Sequence, residues 1–415
     1  MRSLAIPIII LVLFLIDFYV FQGLKLVIQN IPSIWQRILI YAFWGIFGVI
    51  SVGLLYLFLA NPDSINNDFR RLIIVVTFVT YFSKFFAVIV LLVEDISRLL
   101  RWLVSVMNPS SGGGLGKGNP IPRSEFLAKT AIVAAGTPFL AMGYGIISGA
   151  HDYRIRRKTI VLKNLPKAFD GIRIGQLSDI HSGSFFNKTA VKGGIEMFMK
   201  EKPDIAFFTG DLVNDEAGEV KDYIEIFEKV KAPLGTFSTL GNHDYGDYKN
   251  WPSQEAKNQN LKDLVQTHKN LGWDILMNEN RFVKVDGEEI AILGNENWGA
   301  GRFAKYGDLE AAYAGSERAS TKILLSHDPS HWDAQVRPKH PDIDLMLAGH
   351  THGFQFGVEV GNFKWSPSQY VYKQWAGLYQ EDEQYLYVNR GFGYLGFPGR
   401  VGMPPEITII ELKSA

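Results

Sequence analysis

The sequence predicts an α/β fold class in which an N-terminal bundle of four transmembrane helices precedes an α/β domain. Two observations support this prediction. Four long apolar segments lie within the first 150 of the 415 residues, and from about residue 158 short apolar runs alternate with helix-like segments. A chain of this length has room for two parts that fold in different solvents. We therefore expect a transmembrane region over residues 1–150 and a second domain over residues 158–412.

Each of the four apolar segments is long enough to cross roughly 30 Å of hydrocarbon. They cover residues 4–27, 38–59, 72–93 and 126–147. The first segment is too long for the apolar part of a cleaved secretory signal, and three similar segments follow it. A buried helix of a water-soluble domain is the alternative for any one segment. Four in succession favour the membrane for the group.

Residues 108–123, between the third and fourth segments, are rich in Gly, Ser and Pro and are expected to form a flexible linker. Four spans place both ends of the region on the same side of the membrane. Arg154, Arg156, Arg157 and Lys158 follow the last span, which favours a cytoplasmic catalytic domain. Basic residues in the preceding loop favour the opposite face, so the charge rule is divided. We place the domain on the cytoplasmic face.

Composition excludes several classes of protein. The 42 basic and 42 acidic residues cancel, so no overall positive field would attract nucleic acid. The chain has no cysteine, which excludes disulfides and any cysteine-bound zinc. A metal site in this chain must therefore be built from His, Asp and Asn.

Five short polar clusters in the second domain each follow an apolar run. They are SDIHSG at 178–183, GDLVND at 210–215, GNHD at 241–244, SHD at 326–328 and GHTHG at 349–353. Each cluster alone could be an ordinary turn, since Gly, Asn and Asp suit turn geometry. The carboxyl ends of strands in an open α/β sheet form a shared crevice, however, so distant clusters can meet there. Their joint occurrence predicts a site.

The clusters together supply seven oxygen and imidazole donors. These are Asp179, His181, Asp211, Asn242, His327, His350 and His352. A set without thiolates suits two borderline or hard divalent cations held close together. Two cations about 4 Å apart can deprotonate a bound water, and the resulting metal-bound hydroxide can attack phosphorus. The donors therefore predict a two-metal site for phosphoryl transfer.

The five clusters resemble the signature of the calcineurin-like metallophosphoesterases over about residues 158–412. This resemblance implies a β-sandwich flanked by helices and two divalent ions such as manganese, iron or zinc. It implies that the first ion is bound by Asp179, His181 and His352. It implies that the second ion is bound by Asn242, His327 and His350, and that Asp211 bridges the two. His243 would act as the acid or oxyanion stabiliser, oriented by Asp244.

Two positions depart from the family pattern, and the C-terminal tail adds further candidates. Asn214 stands where the second motif commonly has Asp, and Phe354 replaces a glycine of the last motif. The tail from residue 389 resembles the YkuE-like, membrane-associated branch of the family. It makes Arg390 and Arg400 candidates for contact with substrate phosphate, with surface or capping roles as the alternative. His331, close to the SHD cluster, is a further substrate-binding candidate.

The sequence thus predicts a membrane-anchored dimetal phosphoesterase that hydrolyses a phosphomonoester or phosphodiester. Anchoring raises the effective concentration of a substrate in the bilayer, which favours a lipid-linked phosphate. Soluble nucleotides, phosphoproteins and cell-wall phosphates remain open, as do the metal identity and the oligomeric state. The alternative is a non-catalytic membrane sensor or scaffold that binds phosphate. The complete ligand set favours the enzyme.

Overall fold

A computed structural model describes residues 2–60, 65–107, 124–361 and 363–415. The expected linker at 108–123 lies outside the described residues. The chain divides into two compact units, Met1–Gly143 and Tyr144–Ala415. Each unit is described by itself below.

Unit 1 is built from long helices. They are α1 (Arg2–Ile28), α2 (Ser33–Leu59), α3 (Asn67–Met107) and α4 (Glu125–Ile147), whose last turn belongs to unit 2. All four contain a stretch long and apolar enough to cross a membrane, as the sequence predicts. Helix α3 continues well past the expected span at 72–93, because residues 94–107 contain neither Gly nor Pro to end it.

Unit 1 is turned inside out relative to a water-soluble protein. Large apolar side chains such as Tyr41, Val52 and Leu59 are exposed on its outside, whereas Asp17 is fully buried. The Asp17 carboxylate pairs with Lys84 of α3 and accepts a hydrogen bond from the Tyr81 hydroxyl at 2.8 Å. Lipid would cover the apolar outside, and polar groups lie where another helix can satisfy them.

Unit 2 contains two six-stranded sheets. The first has the order β1-β14-β2-β3-β4-β5, in which β2 to β5 are parallel and β14 is antiparallel to β2. Its strands are β1 (Arg154–Leu162), β2 (Arg173–Leu177), β3 (Ile205–Thr209), β4 (Thr236–Thr239), β5 (Asp274–Ile275) and β14 (Glu406–Ser414).

The second sheet has the order β12-β13-β9-β8-β7-β6, with β7, β8, β9 and β13 parallel. Its strands are β6 (Glu279–Val285), β7 (Glu288–Gly294), β8 (Lys322–Leu325), β9 (Leu345–Ala348), β12 (Gly377–Glu381) and β13 (Gln384–Val388). A separate antiparallel hairpin joins β10 (Val358–Val360) to β11 (Phe363–Trp365).

The two sheets pack face to face. Ile174 and Phe207 of the first sheet share one buried cluster with Ile292 and Leu347 of the second. Burial of each such side chain contributes about 1.5–3 kcal/mol, and a whole interface of them holds the layers together. The β-sandwich expected from the family resemblance is therefore confirmed.

Helices cover the outer faces of the sandwich. They are α5 (Lys188–Lys200), α6 (Ile224–Phe227), α7 (Gln254–Asn270), α8 (Leu309–Tyr313) and α9 (Arg337–Lys339). Helix α5 begins where the Asn187 side chain accepts a hydrogen bond from the Ala190 amide at 3.1 Å. Its buried residues Val191, Ile195 and Phe198 recur at helical spacing, so one apolar stripe faces the first sheet.

The sandwich brings the five polar clusters to one edge. Strands β2, β3 and β4 of the first sheet and β8 and β9 of the second each end within one residue of a cluster. Backbone hydrogen bonds then join the loops: the Asp179 amide donates to the Gly210 carbonyl at 2.9 Å, and the Gly349 amide to the His327 carbonyl at 2.9 Å. Residues more than 170 positions apart in the sequence thus become neighbours.

Candidate metal centre

Six of the seven expected ligands form two compact groups. One group consists of Asp179, His181 and His352, and the other of Asp211, His327 and His350. Within each group the potential ligand atoms lie within 4.8 Å of one another. The first group is fully buried, and His350 of the second reaches the surface slightly. Both groups have the size and composition of a site for a divalent cation.

Asp211 lies between the two groups. Its Oδ2 atom is 3.1 Å from His327 Nε2 in one group and 3.5 Å from His181 Nε2 in the other. Within the first group, the Nε2 atoms of His181 and His352 are 3.0 Å apart. One carboxylate is thus within reach of both potential cation sites.

Asn242 joins the second group through His350. Its Oδ1 atom is 2.8 Å from His350 Nδ1, and its amide nitrogen donates to the Tyr248 hydroxyl at 2.8 Å. The donation fixes the side chain so that the amide oxygen points toward the group. The structure therefore brings all seven expected ligands together.

The backbone at the ligands is unusual. Five of them adopt left-handed φ angles: Asp179 (50°), His181 (50°), Asp211 (60°), His350 (72°) and His352 (50°). Such conformations cost of order 1–3 kcal/mol each and persist where the surrounding structure enforces them. Here the Asp179 carboxylate accepts the His350 amide at 2.9 Å, which ties two of these loops together. Strain concentrated on one set of polar residues marks a functional site.

Hydrogen bonds orient the imidazoles toward the centre. The Nδ1 atom of His327 is 2.7 Å from the Thr209 carbonyl, to which it donates. Its Nε2 atom faces Asp211 Oδ2 at 3.1 Å. Burial lowers the pKa of His327, but Asp211 and Asp179 outweigh it and raise that pKa to about 10, so a cation that binds at Nε2 would displace a proton. A carbonyl partner on the far nitrogen is the usual arrangement for a metal-binding histidine.

The charge of the cluster fits added cations. Among the described residues, the basic side chains whose nitrogen atoms lie within 4.0 Å of the Asp179 and Asp211 carboxylates are histidines. Burial raises the pKa of Asp179, but the neighbouring His352 and His327 outweigh it and hold that pKa below its usual value. Burial lowers the pKa of His181 to about 3, which keeps its imidazole neutral and able to bind a cation. Two buried carboxylates among imidazoles, whose protons a bound metal would replace, match two divalent ions.

His243 lies at the partly exposed rim of the centre. Its backbone amide donates to Asp211 Oδ1 at 2.9 Å, and its ring centroid is 5.0 Å from that of His181. The Nδ1 atom is 2.8 Å from the Asn214 carbonyl. Its Nε2 atom is therefore the nitrogen available to a substrate.

The expected role of Asp244 as the group that orients His243 needs correction. Its buried carboxylate accepts hydrogen bonds from backbone amides, at 2.8 Å from Asp211, Leu212 and Gly241. The imidazole of His243 is oriented by the Asn214 carbonyl instead. Asp244 faces the interior because four loop amides there need an acceptor, a fact that the motif does not reveal.

The structure does not bring His331, Arg390 or Arg400 to a substrate position. His331 is buried, between the Ser326 hydroxyl at 2.8 Å and the Gln335 side chain at 3.1 Å. Arg390 pairs with Glu406 at 2.5 Å. These contacts hold both side chains inside the domain, so the expectation that His331 and Arg390 contact phosphate is not supported.

Arg400 is also buried, but it contacts the candidate ligand His352 on the side of the imidazole that faces the interior of the domain. Its guanidinium donates to the Arg390 carbonyl at 2.8 Å and lies 3.2 Å from His352 Nδ1. Burial lowers the pKa of Arg400 to about 10. The side chain supports a ligand of the first group, which is a different position from the expected phosphate contact.

Two aromatic residues near the centre lie outside the five polar clusters. The Tyr372 hydroxyl is 2.7 Å from His350 Nε2, and the Phe303 ring centroid is 5.0 Å from that of His350. Neither residue belongs to a motif. Tyr248, whose ring centroid is 4.5 Å from that of His243, could have been suspected because it closely follows the GNHD cluster.

Comparison with known proteins agrees with this geometry. Residues 1–150 match the family model "Probable Calcineurin-like phosphoesterase, transmembrane domain", and residues 172–354 match "Calcineurin-like phosphoesterase". The uncharacterized metallophosphoesterase YkuE of Bacillus subtilis is 30% identical over 298 residues, which are 70% of this chain and 98% of that protein. The chain therefore belongs to the calcineurin-like phosphoesterase family, and the resemblance to YkuE is confirmed.

Two further relatives differ in length. A zebrafish (Danio rerio) protein named "Transmembrane protein with metallophosphoesterase domain" is 29% identical over 298 residues, 69% of this chain and 63% of that protein. The protein named "Phosphodiesterase YaeI" of Escherichia coli is 27% identical over 306 residues, 70% of this chain and 99% of that protein. This chain thus spans less than two thirds of the zebrafish relative.

Proposed function

We propose that this protein is a membrane-anchored phosphoesterase that uses two divalent cations to hydrolyse a phosphomonoester or a phosphodiester. The observation that carries the proposal is the position of Asp211 Oδ2 within 3.5 Å of imidazole nitrogens from both ligand groups. A shared carboxylate between two donor groups is what a dimetal site requires. The family membership supports the same class of chemistry.

We assign the ligands to the two cations as the family resemblance implies. One ion would be held by Asp179, His181 and His352. The other would be held by Asn242, His327 and His350, and Asp211 would be shared by both. When bound, the ions would neutralise the phosphate oxygens and activate a water as the nucleophile. The chain supplies the fixed frame, because backbone hydrogen bonds and left-handed turns already hold the ligand side chains in place.

His243 is the residue proposed to handle the leaving group. The Asn214 carbonyl holds its Nδ1, which leaves Nε2 at the rim where a substrate would enter. A protonated imidazole can donate its proton to a departing oxygen. The hydrogen bond from the His243 amide to Asp211 Oδ1 fixes this group relative to the shared ligand.

The membrane region bears on the substrate and on orientation. Tethering to a bilayer raises the effective concentration of a lipid-linked phosphate at the site. The basic residues Arg154, Arg156, Arg157 and Lys158 directly follow the last span and favour a cytoplasmic catalytic domain. Protease digestion of sealed vesicles in both orientations would test this assignment, and cleavage of unit 2 only from the outer face of the cell would reverse it.

Turnover itself is tested with the full-length protein in detergent. We expect hydrolysis of bis(p-nitrophenyl) phosphate in the presence of Mn²⁺, and a loss of about 1,000-fold or more in Asp211→Asn. Asp263→Asn, an isosteric change on the outer helix α7, is the matched control and keeps full activity. Equal rates in Asp211→Asn and wild type would exclude the proposal. A wild-type protein that retains metal without turnover would favour the phosphate-binding sensor instead.

A further inference from the structure

The hairpin formed by β10 and β11 has its polar and apolar faces reversed. Val358 pairs with Trp365, Glu359 with Lys364, and Val360 with Phe363. Because side chains alternate along a strand, the central charged pair shares one face and the two apolar pairs share the other. In a hairpin that covers a water-soluble domain, the apolar face packs inward and the charged face meets water.

Here the charged face is the one that contacts the domain. Glu359 accepts a hydrogen bond from Arg156 at 3.0 Å, and the Lys364 ammonium donates to the Ala376 carbonyl. The apolar face is exposed: Val360 retains 70% of its accessible surface and Phe363 retains 62%. The contacts of Glu359 and Lys364 with the domain therefore keep the apolar face of the hairpin turned toward the outside.

The exposed apolar surface extends beyond the hairpin. Trp365 packs edge-on against Phe356, and its indole nitrogen donates to the Tyr370 hydroxyl at 3.3 Å. Tyr370 and Val371 are exposed by 76% and 64%. We call this surface the outer patch, which consists of Phe356, Val358, Val360, Phe363, Trp365, Tyr370 and Val371. A contiguous apolar surface of this kind marks a site of interaction.

The outer patch is attached to the last turn of α4. Tyr144, Gly149 and Glu359 line one cavity of about 560 Å³. The Arg400 amide donates to the Gly145 carbonyl at 3.1 Å, and the neighbouring Val401 forms a β-bridge with Phe356. Tyr144 and Gly145 belong to the candidate membrane span Glu125–His151. The patch therefore lies at the end of unit 2 where the chain leaves the bilayer.

The outer patch also adjoins the metal centre. Tyr370 and Val371 directly precede Tyr372, whose hydroxyl is 2.7 Å from the ligand His350. At the other edge, Phe354 is 52% exposed and follows the ligand His352 by two residues. Its side chain stands where the family pattern has a glycine. Both sides of the ligand cluster thus connect to exposed apolar residues.

We propose that the outer patch docks onto the lipid bilayer into which α4 runs and holds the metal centre at the membrane surface. The bilayer is the favoured occupant because α4, which enters it, is connected to the patch through Arg400 and Val401 and so keeps lipid close to the patch in every molecule. A soluble partner would have to displace that lipid. An apolar surface with aromatic residues at its edge suits the boundary between acyl chains and headgroups.

Docking in this position also defines a class of substrate. It brings to the centre a phosphoester whose polar group lies at the membrane surface while its acyl chains stay in the bilayer. This part of the inference rests on the proposed function, whereas the docking of the patch does not. The two parts therefore need separate experiments.

Docking is tested by site-specific labelling, for which the absence of native cysteine is convenient. Val360→Cys carries an environment-sensitive nitrobenzoxadiazole dye in full-length protein reconstituted into phosphatidylcholine vesicles. Val161→Cys, at the far end of β1 and 48% exposed, is the matched control. We expect brominated acyl chains to quench the dye at residue 360 at least about 3-fold more than at 161, because only the former enters lipid.

Two results would overturn the docking proposal. One is equal quenching of both labelled positions by aqueous iodide, which would put residue 360 in water. The other is an efficient disulfide between the introduced thiols of two unlabelled Val360→Cys molecules with no quenching of the dye by lipid, which would make a second copy of the chain the occupant. Neither result depends on whether the protein turns over any substrate.

The substrate class is tested with Val360→Ser combined with Phe363→Ser. Both side chains are exposed, so the change leaves the core intact. We expect hydrolysis of soluble bis(p-nitrophenyl) phosphate to stay within about 2-fold of wild type, while hydrolysis of dioleoyl phosphatidyl-p-nitrophenol in vesicles falls about 10-fold, since binding at the membrane surface is weakened. Val161→Ser is the control and keeps both rates.

The outcomes separate the two proposals. An equal fall on both substrates would assign the patch a structural role and overturn the inference on substrate class. A wild-type protein that hydrolyses neither compound would contradict the proposed function, and the dye at residue 360 would still decide the docking.

Discussion

The two units neutralise their buried carboxylates in different ways. In unit 1, fully buried Asp17 pairs with Lys84 and accepts a hydrogen bond from Tyr81, so the chain itself supplies the opposite charge. In unit 2, the basic groups described within 4.0 Å of the buried Asp179 and Asp211 carboxylates are histidines. The first arrangement is balanced by a fixed cation, whereas the second relies on imidazole protons that bound metal ions could replace.

The same contrast appears on the surfaces. Unit 1 exposes most of its large apolar side chains, and unit 2 buries nearly all of its own in the sandwich, apart from regions such as the outer patch. Residue type alone does not decide which side chains are inside. The surrounding solvent does, because burial is favourable only relative to water.

The largest expected difference between the units is their response to loss of metal. Dialysis against a chelator is expected to lower turnover by about 1,000-fold or more and to lower the melting temperature of unit 2, because bound ions stabilise only the folded site. Addition of Mn²⁺ restores both. The bundle of unit 1, followed by circular dichroism at the helical band, keeps its unfolding midpoint. Full turnover at a metal content below about 0.1 ion per chain would remove the distinction.

Removal of the internal cation in unit 1 is the next largest effect. Lys84→Leu leaves Asp17 buried without a charge partner and is expected to cost about 3 kcal/mol in the free energy of unfolding. The double variant Asp17→Leu, Lys84→Leu regains most of that loss. Unfolding in mixed micelles with an increasing fraction of denaturing detergent measures both, and turnover per folded molecule is the control in unit 2. A single variant as stable as wild type would show that the pair contributes nothing.

His243→Ala tests the division of labour within unit 2. Turnover is expected to fall roughly 100-fold, because proton donation to the leaving group is lost. Elemental analysis is expected to find the same number of bound ions as in wild type, since no hydrogen bond of a ligand side chain depends on the imidazole. Undiminished turnover would refute the role of His243 in proton donation. A parallel loss of metal would assign the imidazole to metal binding.

Asp244→Asn is the mildest of the four changes. An amide oxygen can accept some of the loop amides that the carboxylate now holds, but its NH₂ group cannot. We expect metal affinity to fall about 10-fold through looser ligand loops, with turnover at saturating metal nearly retained. Titration with Mn²⁺ measures the shift, and Asp263→Asn is the control. If affinity stayed at the wild-type value, the carboxylate would not be holding the loops.

Local patterns in the sequence determined the candidate membrane helices and the set of candidate metal ligands. Runs of about 20 apolar residues predict helices such as α2 without knowledge of the neighbouring elements, because their length and composition match the hydrocarbon core of a bilayer. The clusters that contain Asp179 and Asp211 likewise follow strands, and parallel strands end at one edge. The candidate ligands therefore come together because the strands that precede them run in the same direction, and the sequence pattern indicates those strands.

Only the tertiary structure decided which atoms each polar group contacts. Asp244 turned to loop amides, Arg400 to the back of His352, and Tyr372 to His350, although these partners lie between 3 and 48 residues apart in the chain. The hairpin at Val360 alternates as any strand does, and distant partners such as Arg156, some 200 residues away, hold its charged face inward. The partner of each polar group depends on which donors and acceptors lie next to it after the two sheets have packed, and the sequence does not specify those neighbours.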